Sequence, residues 1–105
     1  MLESLEKMLA RGQDNALLRF GLGKGYLDAG EPARAIEHLA CCVEFDPAYS
    51  AAWKLLGKAH EGSGDLASAE AAWTQGLQAA QAKGDKQAEK EMTVFLKRLA
   101  RRPQS

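Results

Sequence analysis

The sequence is short of several things, and each shortage removes a class of protein. No run approaches the roughly 18 apolar residues of a membrane-spanning helix, so no membrane is expected among its partners. The two cysteines, Cys41 and Cys42, are adjacent and make no disulfide framework. There is no net charge, because 14 Lys/Arg balance 14 Asp/Glu. The strongly basic footprint of a nucleic-acid binder is therefore missing, and no nucleic acid is expected to bind. The opening "MLESLEKMLARG" carries Glu3 and Glu6 and lacks the apolar core of a signal peptide. A cytoplasmic protein is expected. No segment alternates polar and apolar residues for long enough to be a strand.

What remains is an ordinary soluble composition. The chain has 105 residues, 46% apolar and 27% charged, enough for one domain around one core. The charge is unevenly spread. Residues 1–82 hold 7 basic against 11 acidic side chains, and residues 83–105 hold 7 against 3. A basic C-terminal segment complements the dipole of its own helix.

Apolar positions recur at helical spacing throughout. Residues 1–11 place Leu2, Leu5, Met8 and Leu9 on one face and Glu3, Glu6, Lys7 and Ala10 on the other. Gly12 ends the pattern, and Asp14 or Asn15 can cap the next helix. A second helix over 16–29 aligns Leu18, Leu22, Tyr26 and Ala29, and Gly30 stops it. Pro32 suits the first turn of a third helix, where a missing N–H costs nothing. That helix turns Ala35, Ile36, Leu39, Cys42 and Val43 inward until "DPAYS" (46–50) breaks it, since Pro47 disfavours a helical Asp46. A fourth helix over 50–63 buries Ala52, Trp53 and Leu56, with His60 a further candidate. After "GSGD", Asp65 caps a fifth over 66–82, carrying Leu66, Ala69, Trp73, Leu77 and Ala80 inward to a stop at Gly84. A sixth over 86–101 gathers Met92, Phe95, Leu96 and Leu99, with Pro103 beyond its end. No such helix buries its stripe alone, so the helices must pack on one another.

Two stretches repeat at an interval of 34 residues: "LGKGYLDAGEPARAIEHL" (22–39) and "LGKAHEGSGDLASAEAAW" (56–73). They match at Leu22/Leu56, Gly23/Gly57, Lys24/Lys58, Gly30/Gly64, Ala33/Ala67 and Ala35/Ala69, with Glu31/Asp65 a chemical match. Here the chain resembles the tetratricopeptide repeat family, whose pattern is W-x₂-L-G-x₂-Y…A-x₃-F…P. The second copy supplies Trp53, Leu56, Gly57, Ala69 and Trp73, with His60 in the Tyr place and Gln81 in the Pro place. The first supplies Leu22, Gly23, Tyr26, Ala35, Leu39 and Pro47, with Arg19 in the Trp place. The resemblance implies an all-α, right-handed array of antiparallel helix hairpins. It would comprise an N-terminal capping helix in 1–15, repeats at 16–49 and 50–83, a C-terminal capping helix in 84–102 and a tail at 103–105. A strict register would bury Lys90 and Glu91, so the sixth helix must be shifted, with "AKGDK" altering the loop length. Two repeats with two caps is near the minimum for stability, which leaves both a monomer and a weak homodimer open.

Residues that carry chemistry are sparse. "GLGKG" (21–25) is glycine-rich but lacks the spacing and the strand–helix setting of a phosphate loop. His38, Cys41 and Cys42 stand at i, i+3 and i+4, a spacing that brings ligands together, yet no second ligand cluster exists. A metal or redox site there competes with the reading of Cys42 as a small buried residue. No catalytic arrangement is readable, so a non-enzyme without cofactor or metal is expected. Members of the resembled family bind extended peptides on a concave surface lined by the first helix of each pair. Carried over, that lining is Phe20, Lys24 and Leu27 from the first copy, with Lys54 and Lys58 from the second. Leu17, Ala51 and Glu61 belong to the same lining, and Gly21, Asp28 and Leu55 lie alongside it. The three lysines suit an acidic side chain or a terminal carboxylate. The Asn partners of the family's carboxylate clamp are missing, with Gly21 and Leu55 in their places. The competing reading has the lysines solvated and Phe20 packed on the N-terminal helix. The expected function is an adaptor or scaffold module for a protein or peptide. The alternative is a self-associating or structural subunit, with the basic tail meeting the acidic body of a second chain.

Overall fold

Six helices form among residues 1–102, which the computed structural model describes: α1 (Leu2–Ala10), α2 (Ala16–Asp28), α3 (Pro32–Phe45), α4 (Ser50–Gly62), α5 (Leu66–Lys83) and α6 (Lys86–Ala100). The tail expected at 103–105, with Pro103, lies outside the described residues. Local chemistry accounts for the boundaries. Asn15 Oδ1 accepts the Leu18 N–H at 2.9 Å and so caps α2. Asp65 and Asp85 do the same for Ser68 and Ala88 at 3.1 and 3.2 Å. Pro32 opens α3, where its ring costs no helical hydrogen bond.

The two hairpin turns are built alike. Gly30 has φ 77° and Gly64 φ 82°, the left-handed region that a side chain would strain. The Glu31 N–H then reaches Tyr26 O, and the Asp65 N–H reaches His60 O, both at 2.9 Å. Each bond closes the end of one helix while aiming the next back along it.

α2, α4 and α6 neighbour one another in one layer, and α3 and α5 pack behind them. The extents of 44 × 33 × 18 Å match a slab two helices thick. Small residues let the layers meet. A Cβ on Gly23 would lie 2.6 Å from Leu39 Cδ2, and one on Gly57 would lie 2.5 Å from Trp73 Cε2. Leu39 and Trp73 are fully buried, and both stand 34 positions apart, as do the two glycines. The same device recurs once more, where Met92 of α6 and Trp53 close on Gly76.

α6 is indeed displaced, but not by a longer loop. Ala52 and Leu56 correspond in burial to Ala88 and Met92, an interval of 36 rather than 34. α3 has 14 residues and stops before Pro47, whereas α5, with Gln81 in that place, continues for 18 residues to Gly84. Only Gly84 and Asp85 then join α5 to α6, where four residues join α3 to α4. A longer helix less a shorter loop carries the register two places on.

Several expected core positions come out differently, with Ile36, Trp53, Leu66 and Leu77 only half-buried. Met8 is exposed, because α1 packs only on α2 and one narrow stripe of Leu2, Leu5 and Leu9 is covered. Ala29 lies past the last helical residue of α2 and is exposed. His60 is half-buried, and its neighbour Ala59 is the fully buried residue.

The glycine seats give opposite predictions for one substitution. Gly→Ala gains about 1 kcal/mol in a helix interior. At Gly57 the new methyl meets a Trp73 ring with no exposure, pinned by its indole N–H on Lys54 O at 3.0 Å. Overpacking of that kind costs about 1–3 kcal/mol, so Gly57→Ala is expected to destabilise on balance. At Gly21 the only neighbour is Leu5 Cδ1 at 3.2 Å, the end of a movable side chain, so Gly21→Ala is expected to stabilise. Urea unfolding midpoints of the two variants check the signs.

Candidate functional site

The face formed by α2 and α4 is set by what occupies their other sides. On α2, Leu18, Leu22 and Tyr26 point into the core, Gly23 receives Leu39, and Gly21 and Gly25 receive Leu5 and Leu2 of α1. The positions left over are Leu17, Lys24 and Asp28, at i, i+7 and i+11. Leu17 is 73% exposed. Lys24 Nζ pairs with Asp28 Oδ2 at 3.0 Å, both largely in solvent.

Phe20, Leu27 and Leu55 are half-buried against one core cluster. Phe20 has an aromatic partner outside α2. Its ring stacks on Tyr49, just before α4, with centroids 4.8 Å apart. The α4 lysines turn toward α6. Lys54 Nζ meets Glu91 Oε1 at 3.2 Å, and Lys58 Nζ lies 5.1 Å from the centre of the Phe95 ring. Glu61 takes Arg98 and Arg102 at 3.0 and 3.1 Å. The structure thus gathers the three apolar candidates along α2 and α4. Each of the three lysines has a neighbour of its own, and Lys24 and Lys58 stay exposed.

A second polar cluster was not legible in the sequence. Glu6 of α1, expected to face solvent, accepts the Tyr26 hydroxyl at 2.5 Å. The Tyr26 ring stacks on His38, centroids 5.5 Å apart, and Arg34 lies 5.4 Å from the centre of the same Tyr26 ring. Arg19 holds Asp14 through two hydrogen bonds of 2.7 and 2.9 Å, and its Nη1 donates to His38 Nδ1 at 3.0 Å. A guanidinium has no acceptor, so His38 takes this bond as a neutral ring. The only signal available was Arg19 in a Trp place and a histidine one helical turn from a core position.

His38 and Cys42 therefore turn to different partners. Cys42 Sγ donates to Ala16 O at 3.2 Å, and burial pushes its thiol up to about 11. Cys41 is half-exposed and free. No group of three or more metal-ligating side chains is assembled among the described residues, and none of their helices is long and apolar enough to cross a membrane.

Burial, reinforced by the Arg19 charge, holds His38 below its ordinary 6.5. The unfolded chain then binds the extra proton first as pH falls. Stability contributed here is fully present above 6.5 and drains away on acidification toward the folded value. Asp65 and Asp85 are held below 3.8, by Ser68 and by the Ala88 N–H respectively, so their contribution is lost only in stronger acid. His38→Gln is expected to flatten stability between about pH 7 and about pH 5 and leave the acid limb intact, as read from urea midpoints.

No family model matches the sequence. The chain is 71% identical over 101 residues to the TPR repeat-containing protein PA0015 of Pseudomonas aeruginosa, covering 96% of each chain. Its fold is similar to the solution structure of protein BPP2914 from Bordetella parapertussis. That likeness has a TM-score of 0.83 at 54% identity, over 96% of this chain and 88% of the other. With two glycine-seated hairpins repeating at 34 residues and a relative this close along nearly its full length, the chain belongs to the tetratricopeptide repeat (TPR) proteins.

Proposed function

We propose that the chain is a non-enzymatic, cytoplasmic interaction module that holds a peptide or protein segment on the face formed by α2 and α4. The observation that carries this reading is Leu17, 73% exposed on the strip it shares with Lys24. Phe20, Leu27 and Leu55 continue the apolar surface into the seam between the helices. Covering a side chain such as Leu17 contributes about 1.5–3 kcal/mol, so an apolar residue of the partner belongs there. Membership of a family of interaction modules supports a protein as that partner.

The lysines define the second half of the preference. Lys24 is held only by the exposed Asp28, and exposed pairs contribute about 0–1 kcal/mol, so an incoming carboxylate competes easily. Lys58 is exposed as well. Lys54, tied to Glu91, forms the edge of the groove toward α6. An apolar residue next to a carboxylate, from a side chain or a chain terminus, is the ligand that this lining of Phe20, Lys24, Leu27, Lys54, Leu55 and Lys58 fits.

Titration with acidic C-terminal peptides is expected to shift backbone amides of α2 and α4. Leu17→Asp/Lys24→Glu changes two exposed side chains, so it is expected to abolish the shifts with little change in the unfolding midpoint. Shifts confined to the outer sides of α3 and α5, or an unaltered affinity in the double variant, would overturn the reading.

A further inference from the structure

Two helix faces carry charges that form no ion pair among the described residues: Glu37 and Glu44 on α3, and Lys90 and Lys97 on α6. All four are exposed. Lys90 and Lys97 stand on the side of α6 opposite Ala88 and Met92, which are buried against α5. Lys86, Glu89, Lys90, Thr93, Val94 and Lys97 make up this open side of the helix. Val94 in its middle is 56% exposed.

We propose that α6 of one copy docks antiparallel on α3 of a second copy. Each pair of like charges is seven residues apart, two helical turns or about 10.5 Å. Run antiparallel, Glu37 faces Lys97 while Glu44 faces Lys90. Between them, Val94 falls beside Ala40 and Cys41, which are small and half-buried and let the helices approach. Glu37 and Glu44 share the outward side of α3, since Ala35, Leu39 and Cys42 fill the inward one. The same complementarity shows in the whole chain. Residues 1–82 carry four more acidic than basic groups, and residues 83–105 four more basic than acidic. The contact joins unlike surfaces, so copies add head to tail. It is small and polar, which makes the association weak and salt-sensitive.

Light scattering against protein concentration tests this with the full chain. At 10 mM salt, where charges act over about 30 Å, the mass is expected to rise above the 11.4 kDa monomer. At 1 M salt, with a reach of about 3 Å, it is expected to return to the monomer. Lys90→Glu/Lys97→Glu and Glu37→Lys/Glu44→Lys are each expected to stay monomeric, with helicity by circular dichroism unchanged. Mixing the two variants is expected to restore association. Lys7→Glu/Lys83→Glu, with the same net charge as the first variant but both faces intact, is expected to keep associating. A wild type still monomeric at about 1 mM protein in low salt would overturn the proposal, since even weak contacts register there. Association untouched by either charge reversal, or equally lost in the Lys7/Lys83 control, would overturn it too. Neither face includes Leu17 or Lys24, so Leu17→Asp/Lys24→Glu is expected to leave the mass unchanged, which separates this test from that of the groove.

Discussion

A large side chain seated on a glycine of the facing helix is the contact on which the rest of the molecule depends. Trp73 over Gly57 and Leu39 over Gly23 bring the two helices of each hairpin to near backbone distance. The indole N–H of Trp73 then reaches the Lys54 carbonyl at 3.0 Å, which fixes the ring as well as burying it. Interiors are packed too densely to yield to an added methyl, so this seat sets the helix spacing rather than adapting to it. Once α4 and α5 are fixed, Gly76 presents the next seat, and Met92 carries α6 into place.

The outer surfaces follow from those seats. With its other sides turned to α1, α3 and the core, α2 leaves Leu17, Lys24 and Asp28 exposed, with Phe20 and Leu27 half-buried beside them. α6 has a double effect. Its inner side completes the core through Ala88 and Met92, and its flank engages Lys54, Lys58 and Glu61 of α4. Lys90 and Lys97 on its outermost side form no ion pair among the described residues. A capping helix thus covers one flank of α4 while it leaves its own outer side exposed.

The N-terminal cap is held differently. α1 buries no residue completely, and its leucines rest on Gly21 and Gly25 of α2. Glu6 adds a hydrogen bond to Tyr26, whose ring stacks on His38, which in turn accepts from Arg19. Arg19 stands where the family pattern has Trp, and it replaces apolar packing by a charge-assisted pair with Asp14. The first repeat therefore relies on a polar network where the second relies on Trp53, whose indole bonds Pro47 O at 2.8 Å.

The sequence by itself determined the helices, their caps and stops, and the two hairpins. These depend on neighbours within a few positions: Asn15 and Asp65 as caps, Gly30 and Gly64 at the turns, and Leu, Gly and Ala recurring at 34. It also showed that Lys90 and Glu91 had to leave the core. That α5 lengthens to make the shift depended on Gln81 in place of a proline, a choice settled by how far the helix can run before Gly84. The site was less legible. The repeat register placed Phe20, Leu27 and Leu55 side by side along α2 and α4, but whether Lys54 and Lys58 stand free depended on Glu91 and Phe95, some 37 residues away in the chain. Glu6, His38 and Arg19 come together from three separate segments of the chain. Local geometry repeats with the sequence and can be read from it. Pairings of charge and ring across helices depend on where packed backbones leave each side chain's tip, and only the tertiary structure decided that.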